Sequence, residues 1–193
     1  MAWLPTLLGL RGAKVVIPEV AYPTYEVGAL MAECEVVRCD DPAAAPRDAS
    51  LVFINSPSNP TGAVASAEQM RAWVEFSRET GAIIASDECY LYLGWSAEPV
   101  SILHPSVTGG DNTGLLALHS LSKTSNLASY RAGTIAGDEE LVQELLLVRK
   151  HSGLIVPGPI QAAMVAALGD DLHEEMQLSL IHISEPTRLL SIS

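Results

Sequence analysis

The chain has 193 residues, 48% of them hydrophobic, and a formal net charge of −12 at pH 7. That apolar share supports a packed core and excludes a disordered chain, while the acidity and the lack of any Lys/Arg-rich run exclude a nucleic-acid or anionic-membrane surface. Three cysteines, Cys34, Cys39 and Cys89, with no CxxC, exclude a disulfide framework and a zinc site and fit a reduced, cytoplasmic setting. No apolar run approaches ~18 residues, so no transmembrane helix is expected. The opening Met-Ala-Trp-Leu-Pro lacks the basic region of a signal peptide.

Residues 1 to 10 read as the last turns of an amphipathic helix with no N-cap ahead of it. Val15-Val16-Ile17 reads as a strand, followed by a helix over roughly 23 to 33 and a second strand from Glu35 to Cys39. Pro42 to Asp48 is an Ala/Pro loop. Leu51 to Asn55 is a third strand, running into the turn Ser56-Pro57-Ser58-Asn59-Pro60-Thr61-Gly62. Ser66 is placed to cap a helix that continues through Arg78, and Gly81 to terminate it. Ala82 to Ser86, Leu115 to Leu118 and Thr134 to Ala136 are the remaining strands. Pro157 and Pro159 open a helical pattern over 157 to 177. From Leu178 the periodicity is lost and serine and aliphatic residues dominate. Residues 178–193 are therefore expected to be a non-native tail from an adapter or assembly junction, with a short native strand and turn as the alternative.

The strand runs are continuous rather than alternating, the pattern of strands buried on both faces. The fold class is α/β, a mostly parallel sheet covered by helices. In such folds ligands bind at the carboxyl ends of the strands. Asn59, Asp87, Tyr90, Ser120, Ser122 and Lys123 all fall there. Lys123 is one of three lysines, with Lys14 and Lys150. At the end of a buried strand, desolvation would favour its neutral amine, the form that condenses with an aldehyde. Asp87 could keep a pyridine nitrogen protonated. Tyr90 and Asn59 could hydrogen-bond a ring oxygen. Ser120, Ser122 and Arg131 are suitable ligands for a phosphate. Together they describe a pocket for a phosphorylated pyridine aldehyde. Each part also has a plainer reading. Lys123 could be a surface lysine in a Ser-rich loop, and Asn-Pro-Thr-Gly a simple turn. Asp87-Glu88 could cap a helix, Arg131 could pair with Asp138 or Glu139, and Tyr90 and Tyr92 could be core aromatics. Their order and shared strand-end location favour the joint reading.

Four stretches carry a resemblance to a known family: Ala21-Tyr22-Pro23-Thr24-Tyr25, Ser58-Asn59-Pro60-Thr61-Gly62, Asp87-Glu88-Cys89-Tyr90, and Ser120-Leu121-Ser122-Lys123 with Arg131. They resemble the fold-type I, pyridoxal 5′-phosphate (PLP)-dependent aminotransferases of class I/II. The intervals match as well, with 28 residues from Asn59 to Asp87, 36 from Asp87 to Lys123 and eight to Arg131. The resemblance covers residues 1–177 and implies part of the PLP-binding large domain. It implies Lys123 as the Schiff-base partner and proton shuttle, and Asp87 on the ring nitrogen. Asn59 and Tyr90 would hold the ring oxygen, with Ser120, Ser122 and Arg131 around the phosphate. Tyr25 would stack on the ring face, a core tyrosine being the alternative. Within the family, residues 3 to 10, 21 to 26 and 119 to 131 look most like the N-succinyldiaminopimelate aminotransferase branch. Those enzymes transfer an amino group between glutamate and a keto-pimelate derivative in lysine synthesis.

The resemblance also implies a homodimer acting on small amino and 2-oxo acids. A phosphate loop upstream of Met1 and a C-terminal small domain are expected to be missing, leaving this chain with weak cofactor binding, little turnover and exposed apolar surface. The same motifs serve a PLP-dependent carbon–sulfur β-lyase. An aminotransferase-like sensor domain of a regulator is a third reading. A generic nucleotide-binding domain is disfavoured by the lack of GxGxxG and P-loop motifs.

Overall fold

The computed structural model of the chain describes residues 1–94 and 97–170. In chain order the elements are α1 (Leu4–Leu7), β1 (Lys14–Ile17), α2 (Thr24–Met31), β2 (Glu35–Arg38), β3 (Ala49–Asn55), α3 (Ala67–Thr80) and β4 (Ile83–Asp87). They continue with α4 (Pro105–Thr108), β5 (Leu115–Ser120), α5 (Leu121–Thr124), a 3-10 turn (Ala128–Tyr130), β6 (Gly133–Gly137), α6 (Glu139–His151) and α7 (Gly158–Leu168).

The strands form one sheet in the order β2-β1-β3-β4-β5-β6. All neighbours are parallel except β5 and β6. The inner strands β1, β3, β4 and β5 are buried on both faces, as their unbroken apolar runs imply, while the edge strands β2 and β6 bury no residue fully. Along β3, Leu51 and Phe53 enter one core and Val52 and Ile54 the other. The core of Val52 and Ile54 holds Met70, Trp73, Val74 and Phe76 of α3; the core of Leu51 and Phe53 holds Tyr25 of α2 and Leu145 of α6. At about 25 cal/mol per Å² of apolar area, this two-sided burial is the main stabilising contribution.

Helix α3 forms where its end signals place it. Ser66 Oγ accepts from the Gln69 N–H while the Gln69 side chain accepts from the Ser66 N–H, a reciprocal capping box. Gly81 closes the helix at φ 77°, where a side chain would strain the backbone. Its buried positions, Met70, Trp73, Val74 and Ser77, follow the helical period.

Beyond the unanticipated single turns α4 and α5, three segments differ from the sequence reading. The amino-terminal stretch is a single turn, α1, because Pro5 opens it and Gly9 at φ 68° ends it. Helix α6 was not anticipated, although Asp138 caps it by accepting from the Glu140 and Leu141 N–H groups, and Arg149, Lys150 and His151 lie in its last turn. Helix α7 stops at Leu168, with Gly169 next, short of the expected residue 177. Residues 171–177 and the 178–193 tail lie outside the described residues.

Ser66→Ala is expected to lower unfolding stability by about 1 kcal/mol through loss of the cap. Gly137→Ala is expected to cost more, because a Cβ there would collide with the Leu115 carbonyl across the β5–β6 pair. Denaturant midpoints of the two variants check this order.

Candidate active site

Parallel pairing brings the carboxyl ends of β3, β4 and β5 to one edge. Asn55 lies opposite Asp87, and Asp87 opposite Leu118, two residues before Ser120. Asp87 is the last residue of β4 and is 4% exposed. Its Oδ2 accepts from the Tyr25 hydroxyl at 2.5 Å and its Oδ1 from the Cys89 N–H at 3.2 Å. The Asn55 amide donates to the Asp87 and Pro57 carbonyls at 2.9 and 3.1 Å, and Asn55 Oδ1 accepts from the Asn59 N–H at 2.7 Å. Asn55 therefore joins the Asn59 turn to the Asp87 strand. The sequence reading took it only as a strand end; its signal was an amide closing an apolar run, just before the Pro-rich turn. That turn contains two cis peptide bonds, Ser56–Pro57 and Asn59–Pro60.

Ser120 ends β5 and caps α5, its Oγ accepting from the Ser122 N–H at 3.2 Å and donating to Ser122 Oγ at 2.8 Å. Lys123 rides on that single turn, with Nζ 5.8 Å from the centroid of the half-buried Tyr90 ring, a cation–π distance. The expectation that Lys123 is desolvated is not met, because α5 lifts the side chain off the sheet edge and leaves it exposed. Arg131 adopts φ 52° and donates from Nη1 to the Ala128 carbonyl at 2.8 Å. Asp138 is engaged at the Gly114 N–H and the start of α6, so the surface pairing of Arg131 with it does not form. Tyr92 is 65% exposed and is not a core aromatic.

Tyr25 departs most from expectation. Its ring is fully buried and stacked on Phe53, with centroids 4.9 Å apart and planes at 13°. A sealed ring has no face to offer a ligand, so Tyr25 reaches the site through its hydroxyl on Asp87. Burial first, and then the Asp87 charge, pushes this phenol well above its ordinary range. The Cys89 thiol is pushed up by the same two causes in the same order.

A cavity of about 770 Å³ opens beside these strand ends, with Cys89, Ser120, Ser122 and Arg131 among its walls. Asn59, Asp87, Tyr90 and Lys123 are not among them, so the eight expected residues share one sheet edge but not one closed pocket.

A mostly parallel mixed sheet with flanking helices is the fold of a PLP-transferase large domain. The chain belongs to the class I and II aminotransferase family, whose model matches residues 2–190. Members of that family are PLP-dependent. The chain is 61% identical over 179 residues to a probable aminotransferase of Mycobacterium tuberculosis, an alignment covering 92% of this chain and 43% of that protein. It is 49% identical to the 4-dedimethylamino-4-oxo-anhydrotetracycline transaminase OxyQ of Streptomyces rimosus, covering 92% of this chain and 50% of that one. Among solved structures, a probable N-succinyldiaminopimelate aminotransferase of Thermus thermophilus superposes with a TM-score of 0.77 at 30% identity, covering 89% of this chain and 49% of the other. The chain spans about half the length of the curated relatives it matches.

Tyr25→Phe leaves Asp87 Oδ2 without its donor and is expected to cost about 1–3 kcal/mol at neutral pH. The folded phenol stays protonated while the unfolded one ionises near pH ~10, so this stabilisation is complete below that pH and declines above it. The variant is expected to lose that part of the alkaline decline, read from denaturant midpoints between neutral and alkaline pH.

Proposed function

We propose that the chain is the cofactor-binding part of a PLP-dependent aminotransferase that moves an amino group between an amino acid and a 2-oxo acid. The observation that supports this reading is the placement of Asp87 at the end of β4 and of Lys123 on the turn after the adjacent parallel strand β5, with Ser120, Ser122 and Arg131 lining a cavity at that edge. PLP, when bound, supplies an electron sink for bonds at the substrate Cα.

In this reading Lys123 Nζ is the covalent anchor and carries the proton off the amino acid's Cα. Its exposure leaves it free to swing between the two tasks. Asp87 holds the proton on the ring nitrogen, and its bonds from Tyr25 and Cys89 fix the carboxylate plane. Asn59, oriented through Asn55, and Tyr90 would hold the ring oxygen. Ser120, Ser122 and Arg131 would hold the phosphate, the guanidinium supplying charge and the hydroxyls orientation.

For the substrate pair we assign N-succinyl-LL-2,6-diaminopimelate and 2-oxoglutarate, in lysine synthesis. Residues 3–10, 21–26 and 119–131 support this, as does the likeness to the probable N-succinyldiaminopimelate aminotransferase of Thermus thermophilus. Product analysis separates this transfer from β-elimination of a carbon–sulfur bond. A homodimer is the assembly proposed for the whole protein. Exposed Leu146, Leu147, Ile155, Val165 and Leu168 on and between α6 and α7 are apolar surface for a second copy or for the rest of the protein to cover. A cytoplasmic setting fits the three free cysteines. Among the described residues no helix is long and apolar enough to cross a membrane.

With added PLP the purified chain is expected to develop a visible absorbance band. Borohydride reduction and peptide mapping should then place the pyridoxyl group on Lys123. Lys14 is held by Asp48 at 2.7 Å and should label little. Lys123→Ala should abolish both band and adduct; a lysine-bound band persisting in that variant refutes the assignment.

A further inference from the structure

Glu88 and His119 have no part in the reading above, yet they stand between its two principal residues. Glu88 follows Asp87, and its side chain is fully buried. Its N–H donates to the Leu118 carbonyl at 2.9 Å, carrying the β4–β5 pairing one residue past the strand end. Oε1 accepts from the Ile102 N–H at 2.7 Å. Oε2 has no hydrogen-bond donor among the described residues. His119 Nε2 lies 3.3 Å from it, close enough for an ion pair though not aligned for a hydrogen bond. A buried side-chain oxygen without a donor is costly, and the His119 ring is the polar group that faces it.

His119 is itself held in place. It pairs with Thr134 across β5–β6, and its carbonyl abuts Gly133, where a Cβ would fall 2.5 Å from the oxygen. Arg131, Arg149 and Lys150 line the cavity that His119 also borders, as does Cys89, whose raised pKa keeps it a neutral thiol. The charges reaching His119 from the β6 side and from α6 are therefore cationic, and Glu88 supplies the opposing charge from β4. Immediately after His119 comes Ser120, the cap of the turn that carries Lys123.

We propose that Glu88 and His119 are a positioning pair, a side-chain contact across the ends of β4 and β5 that sets where Lys123 stands relative to Asp87. Neither residue needs to touch the cofactor. The link acts because each is one residue away from a member of the site: Glu88 from Asp87, His119 from Ser120. The consequence for Lys123 rests on the PLP reading; the mechanical link does not.

The test compares Glu88→Gln, His119→Gln and the double variant in the purified chain. Without PLP, amide hydrogen exchange over residues 120–124 is expected to quicken about tenfold in His119→Gln, with unchanged far-UV circular dichroism. The double variant is expected to exchange no faster and to melt no lower than His119→Gln, because both side chains act through the one contact that the single substitution already breaks. With PLP and borohydride, the labelling rate at Lys123 should fall by a similar factor while that at Lys14 does not. Unchanged exchange in both single variants, or single effects that add fully in the double, overturns the pair. Should His119→Gln fail to fold, a folded double variant supports the pair and an unfolded one overturns it. An unaltered chain that never labels at Lys123 refutes the PLP reading instead, and the exchange comparison still decides the pair.

Discussion

The hydrogen bond from the Tyr25 hydroxyl to Asp87 joins the two layers that make the site. Tyr25 belongs to α2 and to the core beneath one face of the sheet; Asp87 ends the strand at its centre. A carboxylate so buried needs donors, and it receives one from that helix and one from its own chain at Cys89. Its backbone carbonyl in turn accepts from Asn55 on the neighbouring strand. The acid at the centre of the proposed chemistry is thereby tied to two segments distant in sequence, α2 and β3, and to the turn that follows its own strand. Displacing any of them would leave a buried polar atom without its partner.

Around this anchored acid the other groups are held less tightly. Lys123 and Arg131 lie on short turns after β5, where the bonds are local: Ser120 to Ser122, and Arg131 to Ala128. Rigid strand ends carrying mobile functional groups suit a lysine that must both anchor a cofactor and release it. The cost is incomplete enclosure. The walls of the cavity beside β5 come partly from α6 and α7, and α7 buries no residue fully. The chain spans about half of its relatives' length, and an open cavity beside an uncovered helix is what such a half presents.

The legibility of the site in the sequence followed the range of the forces involved. Asp87, Lys123 and Asn59 were readable because each follows an apolar run that must be a strand, and a parallel sheet sends strand ends to one edge. The capping box at Ser66 was readable because its partner is three residues away. Helix α6 carried equally local signals, the Asp138 cap and the basic last turn, and was overlooked rather than hidden. Tyr25 was misjudged because one sequence pattern serves both a stacked ring face and a buried hydroxyl. Only Phe53, 28 positions away, decides between them. The burial expected of Lys123 failed because a one-turn helix changed the direction of its side chain.

The sequence by itself determined which segments are strands, that both sheet faces are covered, and which polar residues stand at the strand ends, since all of these follow from local periodicity and the geometry of parallel pairing. The tertiary structure alone decided which of those residues touch. Asn55 on Asp87, Tyr25 beneath Asp87, and Glu88 across from His119 are contacts between segments 31 to 62 positions apart. No local pattern encodes them, because they depend on strand order and on the register in which β3, β4 and β5 lie against one another.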